Sequence, residues 1–456
     1  IRIGLPLLAG FRTCICMLWQ FEKPIVREFM HLALPTVLAG WVYIVYTITS
    51  GVFIGRFVGS QALAALNLIL PVLYVPYAIS LMIGIGAATL MARLRGEGKR
   101  SEVRRVCGQT LVLLLAGSML LSGALLLWST QIVAVLGASG TLAELGEAYL
   151  RQFAPFVLCA SAVPALELVL RVESARAARV GLLAMTVGAV LNVGLDYLLI
   201  ARLGWQMQGA ALAAGLSLLA VSLIMLAWVY RPRSVLRPRF RWRHSHAGMI
   251  CYNGLSEFMA ALAPVVTIYA FNQAVLTQFG ASGLAAYAVI EYMTLAATVT
   301  MVGLVQSMQP MLSYYRGAQV ARAIRQTLVI GTLAVEGCAM LVAAGLTGFA
   351  DQLTLLFLPQ GGGAQVLISA AVPWYALAFL PAGVNLVIAG YLTAMEQPGP
   401  SLVIALLRSW ILLLGFLWGM SWLGGMAIWL TLLLTELATL LVSLPLQYRY
   451  RVDVAG

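Results

Sequence analysis

Charge is scarce in this chain. Asp, Glu, Lys and Arg make up 10% of its 456 residues, against 62% hydrophobic residues, and a water-soluble domain of this length has no interior large enough to hide so much apolar side chain. Histidine is scarcer still, with 3 residues, and the 6 cysteines (Cys14, Cys16, Cys107, Cys159, Cys251 and Cys338) include no Cys-x-x-Cys pair. Neither a disulfide framework nor a cysteine-based zinc site is supported, and the thiols are expected as small membrane-core residues. No glycine-rich string ends in Gly-Lys-Ser or Gly-Lys-Thr. The one that stands out, Gln360 to Gln365, reads as an external turn rather than a phosphate loop. Clustered Asp-rich, His-rich or metal-ligand motifs are missing as well, which argues against a membrane-embedded enzyme.

Long apolar runs are what the chain does have. Crossing the hydrocarbon of a bilayer takes roughly 20 apolar residues in a helix, and runs of that kind recur from residue 29 to residue 448. Twelve are expected. Ahead of them, Ile1 to Gln20 carries Arg2 and Arg12 around a short apolar stretch. No small-residue cleavage site follows, so this segment is read as an uncleaved cytoplasmic lead-in.

The net charge of +12 would suggest nucleic acid in a soluble protein, so the placement of the basic residues decides its meaning. They fall into alternate loops: Arg93 to Arg105, then Arg171, Arg176 and Arg179, then Arg231 through Arg243, then Arg316, Arg322 and Arg325, and finally Arg449 and Arg451. The opposite loops keep Arg56, Arg151 and Arg202. That asymmetry is the positive-inside pattern, with both termini in the cytoplasm of a multi-pass inner-membrane protein and no nucleic acid as partner. The segment Arg231 to His246 is a topology anchor and a contact for lipid headgroups. His244 and His246 within it lack a third ligand and read as part of a solvated loop.

Sliding the sequence on itself by 221 positions aligns the start of one half with the start of the other. Leu34 falls on Leu255, Arg95-Gly96 on Arg316-Gly317, and Arg104 on Arg325, a match that leucine and alanine abundance does not explain. With an even number of spans in each half, both repeats have the same orientation. The expected fold is all-α and membrane-embedded, with twelve transmembrane helices in two six-helix lobes related by a pseudo-two-fold axis along the membrane normal. The expected boundaries are a lead-in over 1–28, an N-terminal lobe over 29–230, a basic linker over 231–246, a C-terminal lobe over 247–448 and a tail over 449–456. Two such lobes facing a shared cavity can rock about a midplane site, and without a filter-like segment a passive channel is disfavoured.

Four segments carry a resemblance. The run from Ala33 to Leu66, with Pro35 early and Phe53-Ile54-Gly55-Arg56 near its outer end, resembles the first helix and loop of multidrug and toxic compound extrusion (MATE) transporters. Asn192 to Ala213 is similar to their helix 5 to 6 segment, Gly303 to Ala318 to the end of their helix 8, and Gly390 to Pro398 to the end of helix 10. The Gln-x-x-Gln-Pro-x-x-Ser-Tyr-x-x-Gly-Ala string is the most specific of these. The resemblance implies a secondary antiporter, without a cofactor, that expels amphipathic and often cationic or aromatic compounds while protons or sodium ions run inward, and a monomer is expected.

The residues support ion coupling independently. Asp196 lies well inside an apolar run, where a carboxylate is costly unless it faces water, a partner or an ion; Asn192, at i − 4, shares its helical face. A carboxyl that alternates between a wet and a dry cavity can take up and release a proton. The plainer alternative, in which Asp196 pairs with Asn192 or a neighbouring helix, stays open. Many MATE members carry an aspartate where this chain has Ser50, and some carry a threonine where it has Ala214. With those ligands missing, a sodium cage is weakened and protons come ahead of sodium. Glu257 and Glu291 are further ion-coupling candidates; Glu167 and Glu336 are weaker ones. Tyr43, Tyr46, Ser50, Asn272, Gln306 and Gln309 are candidates for the substrate cavity, where broad specificity wants apolar walls with few directional groups. The nearest rival reading is a flippase for lipid-linked precursors, which would be expected to carry several arginines facing the lumen. Here Arg408 is the single arginine expected within a span.

Overall fold

In the computed structural model, residues 22–241, 243–350, 352, 354 and 363–451 are described. Cys14, Cys16, nearly all of the expected lead-in, the start of the Gln360 to Gln365 turn and the end of the tail lie outside them. The described spans are all helices, as a chain solvated by lipid requires: with no water to bond stray N–H and C=O groups, a span must satisfy them within itself.

Among the described residues, eleven helices are long and apolar enough to cross a membrane. They are α1 (Lys23–Val58), α2 (Ser60–Gly96), α3 (Arg100–Val135), α4 (Thr141–Glu173), α5 (Ala175–Arg202), α6 (Gln206–Tyr230), a 74-residue helix His244–Gly317, α9 (Ala321–Gly348), α10 (Gly363–Ala394), α11 (Pro398–Leu423) and α12 (Gly425–Arg449). A straight helix of that length would run about 110 Å, far beyond one bilayer. It breaks at Gly280, whose φ of 62° and ψ of −147° suit glycine alone, giving α7 (244–279) and α8 (281–317). Twelve spans result, six before the linker and six after it.

Several helices extend further than hydropathy implies. α1 starts at Lys23, with proline in its first turn, six residues before the expected boundary at 29. His244 and His246 stand in the first turn of α7, not in a loop. Arg171 belongs to α4 and is no loop residue either: its side chain is 4% exposed. The linker between α6 and α7 is laid along α3 by main-chain bonds, Arg239 N–H to the Arg104 carbonyl at 2.8 Å and the Gln109 amide to the carbonyls of Arg241 and Arg243 at 3.3 and 3.1 Å.

The two lobes meet at the arginine-rich end of the bundle, chiefly through α2 against α7 and α8 and through α1 against α8. Glycine sets the closeness of that contact. A Cβ at Gly86 would collide with the carbonyl of Ile250, one at Gly254 with the carbonyl of Met82, one at Gly96 with the carbonyl of Tyr314 and one at Gly317 with the carbonyl of Arg93. The last two are reciprocal: Gly96 and Gly317, like Arg93 and Tyr314, are related by the 221-residue shift, so the pseudo-two-fold axis passes between them. Close backbone approach of this kind is the main source of helix association where lipid supplies no hydrophobic drive. Leucine at Gly86 would therefore cost about 2 kcal/mol or more through overpacking against backbone. Thermal unfolding of Gly86→Leu is expected several degrees below that of the parent, whereas Gly123→Leu, at a position with nothing within 4 Å, is expected to unfold near the parent temperature.

Candidate functional site

Asp196 is the last residue of the α-helical part of α5; the next turn, Tyr197–Arg202, is widened to π geometry. Such a bulge re-aims side chains and leaves backbone groups shared over a longer ring. Asp196 is 0% exposed and Asn192 is 1% exposed. Neither carboxylate oxygen of Asp196, and neither the oxygen nor the nitrogen of the Asn192 amide, has a hydrogen-bond partner. Buried polar groups in such a state cost free energy of about 1–3 kcal/mol each. The sequence expectation that these two residues share a face is met, but they do not satisfy one another. The Ser50 hydroxyl of α1 faces Asp196, and Tyr149 of α4 is a close neighbour. Ser50 thus lies at this site and not on the wall of the space between lobes.

A small cavity beside the pair is lined by Tyr46, Gly188, Asn192, Ala214, Ser217 and Val221 among others. Ala214 offers it a methyl group, and the Ser217 hydroxyl is already donated to the Ala213 carbonyl at 2.7 Å. The oxygen atoms around the pair are those of the Asp196 carboxylate, the Asn192 amide and the hydroxyls of Ser50, Ser217, Tyr46 and Tyr149. Among the described residues no group of three His, Cys, Asp or Glu could hold a metal ion.

Between the lobes lies a second constellation. Tyr43 and Tyr46 pack edge to face at 5.2 Å, and Tyr74 and Tyr77 of α2 repeat the motif at 6.5 Å. Tyr74 faces Glu291 of α8, and Tyr77 faces Tyr43, Glu167 and Glu257. Glu257 accepts a hydrogen bond from Gln309 at 3.4 Å. Arg171 donates to Glu167 at 2.6 Å and across the lobe boundary to Gln306 at 3.1 Å. Asn272 is half-buried on α7, apart from these bonds. The structure therefore brings Tyr43, Gln306, Gln309, Glu257 and Glu291 to the walls between lobes and adds Tyr74, Tyr77, Arg171 and Glu167. The two tyrosines were legible as an i, i + 3 pair; Arg171 was hidden by its nearness to a helix end.

Toward the arginine-rich end the walls close. Arg93 of α2 donates to Glu396, in the turn between α10 and α11, at 2.7 Å, and Arg316 lies 3.4 Å from the same carboxylate. Glu396 is held at a φ of 48°, a left-handed conformation that costs a non-glycine residue about 1 kcal/mol or more. Tyr315 of α8 donates to Glu28 of α1 at 3.0 Å, and Trp41 of α1 donates to Thr300 of α8 at 2.9 Å. Arg93 also bonds Glu97 at 2.6 Å. Hydrogen bonding from Lys99, with the Arg93 charge and bond beside it, holds the Glu97 carboxyl below the usual carboxylate range. A lowered folded-state value stabilises the fold above the ordinary carboxylate range, and that stabilisation is lost as pH falls through the lowered value. The difference in unfolding temperature between the parent and Glu97→Gln is expected to be largest near neutral pH and to shrink away on acidification, as thermal scans across pH would record.

The MatE family model matches residues 35–198. Multidrug export protein MepA of Staphylococcus aureus (strain NCTC 8325 / PS 47) is 25% identical over 304 residues, a match that covers 65% of this chain and just under two thirds, 66%, of that protein. The protein of the same name from Staphylococcus saprophyticus is 25% identical over 459 residues, covering 96% of this chain and 98% of that one. Among solved structures, an outward-facing multidrug resistance MATE transporter of the MOP superfamily superposes with a TM-score of 0.85 at 20% identity, covering 93% of this chain and 95% of that one. The MATE transporter VcmN of Vibrio cholerae gives a TM-score of 0.86 at 19% identity, covering 94% and 98%. Family model, relatives and fold agree with the four sequence segments: over its first half the chain is similar to the MATE family model, and throughout its length to MATE transporters.

Proposed function

We propose that the chain is a secondary antiporter that exports amphipathic, cationic or aromatic small molecules in exchange for protons by alternating access. The observation that carries the coupling is Asp196, a fully buried carboxylate without a partner for either oxygen. Membrane carboxylates of that kind act as proton or ion loci because bonding alone does not hold them charged. Ser50 and Ala214, in place of richer oxygen donors, put protons ahead of sodium. Glu257 and Glu291, facing the tyrosines between lobes, offer negative charge to a cationic compound or a second proton step, and Tyr43, Tyr74 and Tyr77 offer ring faces.

The staphylococcal relatives are named as multidrug exporters, and the aromatic, acid-edged space between the lobes suits such compounds. With the arginine-rich end in the cytoplasm, both termini are cytoplasmic, the membrane is the inner one, and the lobes are closed toward the cytoplasm, so this is the outward-open state. The chain works as a monomer. A lipid-linked-precursor flippase would need several free arginines between the lobes. Among the described residues Arg171 is the arginine there, and Glu167 neutralises it.

The test is transport in proteoliposomes by Asp196→Asn. Efflux of a cationic dye driven by an imposed pH gradient is expected to fall to background, while dye binding is kept and added sodium does not restore the rate. Unchanged pH-driven transport would remove Asp196 from the mechanism, and a strict sodium requirement would replace the proton.

A further inference from the structure

The turns joining the fifth and sixth helices of each lobe give a structural register. Each carries a Leu-Gly pair, and the two glycines, Gly204 and Gly424, have matching φ of 68° and 72°. Counted back from them, Gly188 of α5 and Arg408 of α11 occupy the same place in the two lobes. In the N-terminal lobe the place has no side chain, and Val221 of α6 packs against it where a Cβ would stand, at the edge of the cavity that Asn192 and Ser217 line. In the C-terminal lobe the place carries a guanidinium.

Arg408 Nε donates to Glu436 Oε1 of α12 at 2.6 Å. Asn385 Nδ2 of α10 donates to Glu436 Oε2 at 2.8 Å, and the Ser443 hydroxyl donates to Asn385 Oδ1 at 2.7 Å. Glu436 is 1% exposed, and Asn385 and Ser443 are fully buried. The Arg408 side chain keeps 26% exposure, and α11 widens to π geometry over Leu407–Ile411 around it. Both carboxylate oxygens of Glu436 are therefore bonded, where neither oxygen of Asp196 is. A guanidinium stays charged at any physiological pH, and a bonded ion pair is the form in which two charges persist at this depth.

We infer that Arg408 is a tethered cation. Glu436, Asn385 and Ser443 form a monovalent-cation pocket that the chain fills with its own guanidinium, so no ion is exchanged at Glu436. Of the two deep carboxylates, Asp196 alone has no tethered cation and is left to a travelling one, which rests on the coupling role proposed for Asp196.

The experiment uses the purified full chain. Arg408→Ala is expected to unfold at lower temperature and to be restored by millimolar guanidinium or methylguanidinium, with choline as the inactive control. Arg408→Ala combined with Glu436→Gln, which carries neither charge, is expected to unfold near the parent temperature, to ignore guanidinium, and to keep the parent ratio of protons to exported dye. Should Arg408→Ala resist purification, Arg408→Lys is compared with Arg408→Gln, and the lysine is expected to retain the larger share of transport and stability. The inference is overturned if guanidinium stabilises the single and double variants alike, if lysine fares no better than glutamine, or if the double variant binds dye but loses its proton coupling. Asp196→Asn separates the two readings: normal coupling in that variant would sink the role of Asp196 and leave the guanidinium rescue standing.

Discussion

Everything between the lobes depends on how closely α2 approaches α7 and α8. At Gly86, Gly96, Gly254 and Gly317 one backbone lies directly on another with no room for a methyl group. In lipid, packing of this kind holds helices together because the apolar solvent offers no drive of its own. Contacts confined to one end also leave the other end free to part. The aromatic and acidic walls lined by Tyr43, Tyr77 and Glu291 follow from that geometry. A seam of backbone contacts ringed by single polar bonds, such as Arg93 to Glu396 and Tyr315 to Glu28, suits reversible closure, since each bond has a water-exposed alternative once the seam opens.

Much of this architecture was legible in the sequence, and for a physical reason. The 221-residue shift stood out at Arg95-Gly96 and Arg316-Gly317 because arginine is rare in apolar spans, and those glycines proved to be the reciprocal contact on the pseudo-two-fold axis. Hydropathy gave twelve spans, the seventh and eighth among them, but did not single out Gly280 as the residue between those two, since one glycine barely alters a window of apolar residues. Asp196 and Asn192 were legible as an i, i − 4 pair because helical spacing is local.

Partnership is not local, and there sequence reading ran out. Arg171, placed in a loop by its nearness to a helix end, is buried and bonded to Gln306 of the other lobe. Glu167, read as weak, is the counter-ion of Arg171. Glu436 was passed over because nothing in its own helix shows that Arg408 and Asn385 arrive from two others. Each of these depends on which helices become neighbours, and periodicity within one helix carries no record of that.

Once the partners are known, the acids sort themselves by what each is bonded to. Glu396, Glu167 and Glu436 each bond an arginine, so their work is to hold elements together. Glu257 has a single long bond from an amide, and Asp196 has none. Groups whose two protonation states differ least in bonding are the ones that can change state as water comes and goes. A transporter built with few charges can thus keep its scaffold acids and its exchanging acids apart without separating them in depth: the arginine beside a carboxylate decides which kind it is. On that ground the roles proposed for Asp196 and Glu436, both deep within six-helix lobes of the same repeat, are opposite, and the difference traces to the arginine that bonds Glu436 and that Asp196 lacks.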